Sequence, residues 1–324
     1  MTFQQLKKVV AFYTRFTLSF TQIGYRARSL FWQPLQPSFA GQHWIVTGAS
    51  GGLGREIVMA AARAGATVTA VARDKVKLEE MRAAAVAAGI HGVRVALCDF
   101  SLQQDTHRFM TQFAASGTKI DVLVNNVGVL LDEHSMTSEG RENSYVISFL
   151  SHYLLTEGLI KRGAFVANRA LVINMTSGGG YNVPLSTAML NMTKAETFNG
   201  TAAYGFHKRG QMVLNQYWRD TYGSRGMTFY VMHPGWADTD GVKRSLPRFR
   251  KILKSVLRDA KSGSDTAIWL AATRPPQSEA EQVWFDRKIR TAHVYPRTRV
   301  TNDTAQSLVA YLEADLQRLP NCLP

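Results

Sequence analysis

The sequence lacks several features that define common classes of protein. It has only two cysteines in 324 residues, Cys98 and Cys322, which is too few for a disulfide framework and is typical of a reducing compartment. Its most apolar N-terminal run, from Val9 to Ile23, is too short to span a bilayer and is interrupted by Arg15. Because no small-residue cleavage site follows that run, a secretory signal is a poor fit. We therefore expect a cytoplasmic protein.

Recognisable metal and nucleic-acid motifs are also missing. The eight histidines show no ligand spacing with acidic residues, so metal catalysis has little support. The formal charge of +14 would suit nucleic acid, but no helix-turn-helix, zinc finger or ribonucleoprotein motif accompanies it. We therefore expect no metal and no nucleic-acid partner.

Acidic residues are scarce in two segments that carry most of the positive charge. Residues 1–40 contain five basic residues and no acid, and residues 241–262 contain eight basic residues and one acid. The first segment predicts an amphipathic helix over about residues 3–22 that packs on the protein or lies on a membrane. In the second, one helix face is predicted to be apolar (Phe249, Ile252, Leu253, Val256, Leu257) and the other basic (Arg250, Lys251, Lys254, Arg258). An anionic membrane surface is a candidate partner, so peripheral membrane association is one interpretation. The alternative is an arm and a lid with solvated charges.

From residue 41 the chain alternates short apolar, β-branched runs with helical patterns. Strands are predicted at 44–47, 67–72, 93–98, 121–125, 170–176, 227–232 and 282–285. Helices are predicted at 52–64, 75–88, 103–115, 139–161, 204–222, 264–273 and 304–318. This alternation predicts an α/β fold: a Rossmann-type, doubly wound, mostly seven-stranded parallel sheet with helices on both faces. We expect an N-terminal arm at 1–40 and a single domain at 41–324.

A glycine-rich turn, Thr47-Gly-Ala-Ser-Gly-Gly-Leu-Gly54, joins the first strand to the first helix. Gly48 suits a tight turn, Gly52 lets backbone approach a pyrophosphate, and Gly54 lets the helix lie close to the sheet. The free N–H groups of the helix N-terminus attract phosphate oxygens. The order of strand, turn and helix therefore predicts a dinucleotide site. The residues expected there are Gly48, Ser50, Gly51, Gly52, Leu53 and Gly54.

The end of the second strand indicates which dinucleotide is bound. An acidic residue there would bind the ribose hydroxyls of NAD and repel a 2′-phosphate. Ala72 stands at that place, and the Arg73 guanidinium that follows suits a phosphate. We therefore expect NADP(H) in preference to NAD(H). Two alternatives stay open: Asp74 serves the ribose instead, or Arg73 is a solvated residue at a helix end.

Polar residues also follow the third and fourth strands. Asp99, which precedes Phe100, is predicted to accept a hydrogen bond from the adenine amino group or to cap the helix near Gln103. In the run Asn125-Asn126-Val127-Gly128, we expect the amides to tie neighbouring strands together and Gly128 to leave room for the cofactor.

Tyr204 and Lys208 are four residues apart, which places phenol and ammonium on one helix face. A cation is expected to lower the phenol's pKa from about 10. Tyr204 could then exchange a proton with a carbonyl or alcohol oxygen. Ser177 ends the fifth strand, at the sheet edge where ligands bind in such folds.

These motifs occur in an order that resembles the short-chain dehydrogenase/reductase family over about residues 40–290. The resemblance implies hydride transfer between a nicotinamide cofactor and a carbonyl or alcohol, with Tyr204 as acid/base. It further implies that Lys208 adjusts the pKa of Tyr204 and holds a ribose, and that Ser177 polarises the carbonyl. Further cofactor contacts are implied at Asn126, Val127, Pro234, Gly235, Trp236 and Thr239, with Thr239 near the nicotinamide carboxamide.

Ser148 departs from the pattern of that family. The family usually has an asparagine here, which helps to hold a water that relays protons toward the lysine. Because serine is shorter, Ser148 is expected to hold the water less firmly. An alternative function is therefore a protein that binds NADP(H) with little turnover, as a sensor or an interaction partner.

Tyr204 follows Ser177 by 27 residues, roughly twice the usual spacing of the family. The insertion at 178–203 is predicted to form one wall of the substrate pocket, and residues 236–262 are predicted to cover it. The insertion could also obstruct the helix face that relatives use to dimerise, so both a monomer and a homodimer remain open. The expected substrate is a small carbonyl or alcohol compound, and a lipophilic one if the basic segments face a membrane.

Overall fold

A single eight-stranded sheet organises the protein. The computed structural model describes residues 14–324, apart from 246, 278 and 280 and the side chains of Asp240 and Arg244. The strands are β1 (His43–Thr47), β2 (Thr67–Ala72), β3 (Val93–Leu97), β4 (Val122–Asn125), β5 (Leu171–Met175), β6 (Thr228–Met232), β7 (Gln282–Phe285) and β8 (Lys288–Thr291). Their order is β3-β2-β1-β4-β5-β6-β7-β8, parallel throughout except for the antiparallel pair β7 and β8.

Helices cover both faces of this sheet. They are α1 (Gln22–Ser29), α2 (Gly52–Arg63), α3 (Lys75–Ala87), α4 (Gln103–Ala115), α5 (Ser151–Lys161), α6 (Gly200–Tyr222), α7 (Asp240–Ser245), α8 (Pro247–Leu253), α9 (Ala260–Thr273) and α10 (Ala305–Leu316). Two apolar clusters fill the spaces on the two sides of the sheet. The predicted doubly wound α/β fold is confirmed.

The strand order reverses between β1 and β4, which places a ligand crevice at their carboxyl ends. Every residue of β1, β4 and β5 is buried, as expected for central parallel strands covered on both faces. Ligands bind outside such reversal points. The ends of β1 and β4, at Thr47 and Asn125, are therefore where the site residues converge.

The antiparallel strand β8 was not predicted from the sequence. All four of its residues are exposed, so no alternation of apolar and polar residues indicates it. The turn before it is formed by Asp286 and Arg287, which have φ values of +49° and +57°. Two left-handed residues are the geometry of a two-residue hairpin turn, but this turn lacks the usual Asn-Gly or Asp-Gly signature.

The helix predicted at 139–161 begins later than expected. Glu142 caps a short helical turn at Asn143–Tyr145, because its carboxylate accepts hydrogen bonds from two N–H groups of that turn. The Glu139 carboxylate instead accepts from the N–H groups of Gln103 and Gln104, at 2.7 and 3.1 Å, and so caps α4. A π turn at Val146–Leu150 then leads into α5.

The N-terminal arm packs on the domain through buried aromatic residues. Residues 1–13, which include much of the helix predicted at 3–22, lie outside the described residues; residues 14–20 are helical and are followed by α1. Phe16 and Phe20 are buried beside Tyr181 and Phe285. No helix in the described residues is long and apolar enough to cross a membrane.

The predicted division of residues 249–258 into an apolar and a basic face is wrong at two positions. The helix α8 ends at Leu253, and Ile252 on it is 79% exposed. Arg258 lies beyond the helix and is only 1% exposed. Arg250 is also not freely solvated, because its guanidinium pairs with Asp238 at 2.7 Å.

Arg258 belongs to a buried group of charges, the Asp286 cluster, formed by Arg28, Arg258 and Asp286. The Asp286 carboxylate receives two hydrogen bonds from Arg258, at 2.6 and 2.9 Å, and one from Arg28 Nε at 2.7 Å. The Arg258 guanidinium also donates to the carbonyls of Ser19, Phe20 and Pro234. The cluster therefore joins the arm, the β7–β8 turn and the segment after β6.

Candidate active site

The glycine turn after β1 is shaped by close backbone approaches. Gly48 has a φ of +65°, and a Cβ on it would lie 2.9 Å from the Cα of Val127. A Cβ on Gly54 would lie 2.3 Å from the Gly48 carbonyl oxygen. Side chains at either position would push α2 or β4 away, so both glycines are required for the cradle that a pyrophosphate would occupy.

Thr47 and Asn126 hold this turn against β4. The Thr47 hydroxyl accepts from the N–H groups of Asn126 and Val127, each at 3.0 Å, and donates to the Val124 carbonyl at 3.2 Å. The Asn126 amide donates to the Thr47 carbonyl at 2.8 Å. Thr47 was not among the predicted site residues, although it opens the glycine motif.

The remaining residues of the turn leave the end of α2 available. Ser50, Gly51, Gly52 and Leu53 are all half-buried. Gly51 is the N-cap of α2 and supplies no side-chain cap, so a bound phosphate would find uncapped N–H groups there. A Cβ on Gly52 would lie 3.3 Å from Thr239, which brings the segment after β6 over the turn.

At the end of β2 the two candidate ribose residues are separated. Asp74 is the N-cap of α3, and its carboxylate accepts from the Lys77 N–H at 3.1 Å. Arg73, by contrast, is exposed just beyond the strand. The Asp74 carboxylate therefore serves the helix, while the exposure of Arg73 fits both a phosphate contact and a solvated residue at the helix end.

Asp99 and Phe100 follow β3, beside the expected adenine position. The Asp99 carboxylate accepts from the N–H and the hydroxyl of Ser101, at 2.9 and 2.7 Å. The suggestion that Asp99 caps α4 is wrong, because the N-cap is Leu102. Phe100 is 3% exposed within the core, so only its backbone could reach a cofactor.

The asparagines after β4 tie strands together as predicted. The Asn125 amide donates to Asn174 Oδ1 of β5 and to the Thr156 hydroxyl, both at 2.9 Å. Gly128 lies next to the candidate catalytic groups, since a Cβ there would be 3.3 Å from Lys208 Nζ. Glycine therefore keeps the space in front of the lysine open.

Tyr204 and Ser177 meet at the carboxyl edge of the sheet. Ser177 follows β5 and Tyr204 lies on the first turns of α6, where both are half-buried. The Ser177 hydroxyl lies close enough to the Tyr204 phenol to lower its pKa, but burial has the larger effect and raises that pKa. The expectation of a lowered pKa is therefore contradicted.

The position of Lys208 explains why it does not lower the pKa of Tyr204 as expected. Its Nζ lies 5.3 Å from the centre of the Tyr204 ring and donates to the Met175 carbonyl at 2.9 Å. Burial lowers the pKa of Lys208 to about 7, since an ammonium is poorly solvated there. Near neutral pH the lysine is thus partly uncharged, which weakens its effect on the phenol.

Ser148 is fully buried in the π turn before α5. Its hydroxyl accepts from the Val129 N–H at 2.9 Å and donates to the Val129 carbonyl at 3.0 Å. Both bonds are to backbone on the chain segment that follows Gly128. The serine hydroxyl therefore fixes that segment, and the Ser148 carbonyl accepts a hydrogen bond from Gln211, which in turn accepts one from Lys208.

Arg258 packs against the segment after β6, which leads to the site. Gly235 has a φ of +78°, and a Cβ on it would lie 2.4 Å from the Arg258 guanidinium. The Trp236 ring lies between Phe20 and Phe249, and the Trp236 backbone N–H donates to the Phe20 carbonyl at 2.9 Å. Pro234 to Thr239 is therefore held by the arm as well as by the domain.

The insertion at 178–203 packs on α6. Three successive glycines start it, and a Cβ on Gly180 would lie 3.0 Å from the Arg209 N atom. Further along, His207 bonds the Leu190 carbonyl at 2.8 Å and Arg209 bonds the Val183 carbonyl at 3.0 Å. The insertion thus covers part of the helix that carries Tyr204.

Among residues 14–324, with the gaps stated above, no cluster of histidine, cysteine and acidic residues could hold a metal ion.

Comparison with known proteins identifies the family. The family model described as short chain dehydrogenase matches residues 42–248. The chain belongs to this family. Dehydrogenase/reductase SDR family member 12 of Bos taurus is 30% identical over 314 residues, which cover 95% of this chain and 97% of the relative. Retinol dehydrogenase 12 of Homo sapiens is 27% identical, with 83% and 84% covered.

Solved structures support the fold. An uncharacterised protein from Mycobacterium paratuberculosis superposes with a TM-score of 0.64 at 22% identity, covering 86% of this chain and 94% of that one. A Beutenbergia cavernae protein described as an NAD(P)-dependent gluconate 5-dehydrogenase with bound NADP gives 0.58 at 21% identity, with 72% and 91% covered. Family membership makes the protein an oxidoreductase of alcohol and carbonyl groups that uses a nicotinamide dinucleotide.

Proposed function

We propose that the protein interconverts a carbonyl and an alcohol with NADP(H), and that Tyr204 is the acid/base. The observation that carries this proposal is the placement of Tyr204 next to Ser177 and Lys208 at the reversal point of the sheet. The cradle of Gly48, Gly54 and Gly128 is supporting evidence, because it leaves room where the cofactor would lie.

The arrangement assigns a task to each of the three side chains. Bound NADPH would supply the hydride for reduction. The Ser177 hydroxyl donates a hydrogen bond to the substrate carbonyl oxygen, and Tyr204 O–H gives its proton to the same oxygen. For oxidation, the Tyr204 phenolate takes the proton of the alcohol. The Lys208 ammonium stabilises that phenolate when the lysine carries its proton.

A Tyr204→Phe variant tests this assignment directly. The variant keeps the ring and removes the proton that the reaction needs. We expect turnover in an NADPH-oxidation screen of lipid aldehydes, ketones, retinoids and steroids to fall by at least about 10²-fold. NADPH binding should hardly change.

Tyr217→Phe is the matched control, because Tyr217 is a half-buried tyrosine further along α6. Wild-type turnover in Tyr204→Phe would disprove the role of Tyr204. A wild-type protein that binds NADPH and oxidises it with none of these compounds would support the alternative of a binding protein with little turnover.

A lipophilic substrate is part of the proposal. Several of the similar proteins, retinol dehydrogenase 12 of Homo sapiens among them, are named for retinol, a lipophilic alcohol. The structure adds an exposed apolar surface on the arm, where Leu18, Ile23, Leu30 and Phe31 are 71%, 54%, 82% and 86% exposed. We propose that this surface faces an anionic membrane from which such a substrate enters.

The two basic segments meet at this surface. The Gln22 N–H donates to the Val256 carbonyl at 2.8 Å, so the arm lies next to the second basic segment, residues 241–262. Exposed basic residues near the junction are Arg26, Arg248, Lys251 and Lys254. Each contributes about 1 kcal/mol at most near an anionic surface, and the contribution falls with salt.

Vesicle co-sedimentation tests the membrane proposal. We expect binding to anionic vesicles at low salt and much weaker binding to neutral vesicles. Changing Arg248, Lys251 and Lys254 to glutamate should reduce binding, whereas the same change at the exposed residues Arg63, Lys75 and Lys161 should not. Equal absence of binding to both kinds of vesicle at low salt would refute the proposal.

A further inference from the structure

A buried chain of hydrogen bonds links Lys208 to Gln211, Ser148 and His152. Lys208 Nζ donates to Gln211 Oε1 at 3.1 Å, and Gln211 Nε2 donates to the Ser148 carbonyl at 2.7 Å. Gln211 Nε2 is also 3.0 Å from His152 Nδ1, and His152 Nε2 is 2.7 Å from the Val127 carbonyl. Lys208, Gln211 and His152 are each at most 3% exposed.

We propose that Gln211 is a positioning residue for Lys208: its amide oxygen fixes the ammonium, and its amide nitrogen is locked by His152 and Ser148. This inference rests on the proposed role of Lys208 in holding the cofactor and stabilising the Tyr204 phenolate. It assigns to Ser148 a contribution through its backbone carbonyl, which differs from the expectation that its hydroxyl replaces an asparagine.

The orientation of the Gln211 amide follows from the chemistry of its neighbours. Burial and the nearby Lys208 lower the pKa of His152 to about 3, so the ring is neutral. Its Nε2 faces a carbonyl oxygen and must carry the proton, which leaves Nδ1 as an acceptor. Both Nδ1 and the Ser148 carbonyl therefore require the NH₂ group of Gln211. The amide oxygen has to face Lys208.

Two of the three N–H donors of the Lys208 ammonium are therefore already hydrogen-bonded. Lys208 Nζ donates to the carbonyl of Met175 and to Gln211 Oε1. One donor remains for the side that Gly128 leaves open, where Tyr204 and a cofactor ribose would lie. An amide and a histidine of such low pKa do not pass protons readily, so the chain orients the lysine and does not relay protons from it.

The titratable groups that face Lys208 are Tyr204, His152, His207 and His233. Burial lowers the pKa values of all three histidines, so they stay neutral above pH 6. In the described part of the chain no carboxylate forms an ion pair with Lys208. Gln211 Oε1 and the Met175 carbonyl are therefore the acceptors that stabilise the charged lysine.

The test is the pH dependence of NADPH affinity, measured by fluorescence titration between pH 5.5 and 9. Affinity should weaken as Lys208 loses its proton. The breakpoint is the pH above which NADPH affinity begins to fall. In Gln211→Met this breakpoint should be lower by roughly one pH unit, because the charged Lys208 has lost a hydrogen-bond acceptor. Titration of the cofactor phosphate affects every variant alike.

Gln103→Met is the matched control. Gln103 is also a buried glutamine, but its amide bonds only the carbonyls of Leu316, Leu319 and Cys322. Its breakpoint should equal that of the wild type. Gln211→Asn, which keeps an amide one methylene too short, is a second variant that should shift the breakpoint in the same direction as Gln211→Met.

An unchanged breakpoint in Gln211→Met and Gln211→Asn, or an equal shift in Gln103→Met, would overturn the proposal. A failure of the proposed function would give a different experimental result from a failure of the Gln211 proposal. A wild type that binds NADPH and turns over no substrate would remove the catalytic assignment, while the comparison of breakpoints would still report on Gln211.

Discussion

Arg73 is the residue on which we propose that cofactor choice depends. It is exposed beyond β2, while the neighbouring carboxylate of Asp74 is used as a helix cap. Arg73→Ala should therefore weaken NADPH much more than NADH, because only NADPH carries a 2′-phosphate. The expected loss is about 1.5–3 kcal/mol, or roughly one to two decades in Kd, by parallel titrations of the two cofactors.

Lys75→Ala is the control, since Lys75 is an exposed cation two residues further on. It should leave the ratio of the two affinities near the wild-type value. Equal losses for NADPH and NADH in Arg73→Ala would show that Arg73 does not contact the phosphate.

The catalytic residues illustrate what sequence spacing can and cannot predict. The four-residue interval predicted that Tyr204 and Lys208 share a face of α6, and the 5.3 Å contact confirms it. The direction of the Tyr204 pKa was wrong, because burial depends on elements far away in the sequence. Gln211 lies three residues after Lys208 on α6, but its contact with His152 joins α6 to α5, and no local motif indicates such a pair.

At the scale of elements, the Asp286 cluster should stabilise the attachment of the arm. Asp286→Asn removes the one negative charge and leaves the buried Arg258 and the half-buried Arg28 without a counter-charge. We expect a loss of about 3–5 kcal/mol in the free energy of unfolding, because unpaired buried charges are costly. Denaturant titration followed by circular dichroism measures this loss.

Glu281→Gln provides a closely matched control. Glu281 also has a left-handed φ, +60° against +49° for Asp286, and also pairs with arginine, but its pair with Arg299 is about half exposed. The free energy of unfolding should fall by at most about 1 kcal/mol in Glu281→Gln. Similar losses for the two variants would mean that the cluster contributes no more than a surface pair.

The elements themselves were predictable to different degrees. All seven predicted strands are present, because buried β-branched runs such as Leu171–Met175 are distinctive. The faces of residues 249–258 were predicted wrongly at Arg258. Contacts with the arm bury this residue, and a local sequence pattern does not show such contacts. The exposed strand β8 has no apolar signal, and Glu139 caps a helix that lies 36 residues earlier in the chain.

For the whole molecule, buried neutral histidines predict sensitivity to acid. Burial lowers the pKa of His152 to about 3 and of His207 to about 4, below the ordinary value of 6.5. The unfolded chain therefore binds protons more readily, and stability falls as the pH drops from about 6.5 toward 4. At pH 5 the cost is on the order of 2 kcal/mol for each of them. The Tm measured at pH 5 should be clearly below that at pH 7.5.

His207→Gln isolates one contribution to this acid sensitivity. Glutamine can still donate to the Leu190 carbonyl but does not titrate. The variant should lose less stability than the wild type between pH 7.5 and pH 5, whereas His91→Gln, at an exposed histidine, should behave like the wild type. Identical pH dependence of both variants would contradict the assignment of the loss to buried histidines.

The Asp286 cluster also sets the order in which a newly synthesised chain can complete its site. Arg28 leaves the ribosome 258 residues before Asp286, which is roughly 10–50 s at ordinary rates of translation. Late in that interval both the arm and the Pro234–Thr239 segment exist, but the carboxylate that holds them together does not. The glycine turn and β1 to β5 can form earlier, so the nucleotide half of the site precedes the substrate half. Nascent chains arrested before residue 286 should therefore expose Phe16 and Phe20 to chaperones even when the Rossmann core has formed.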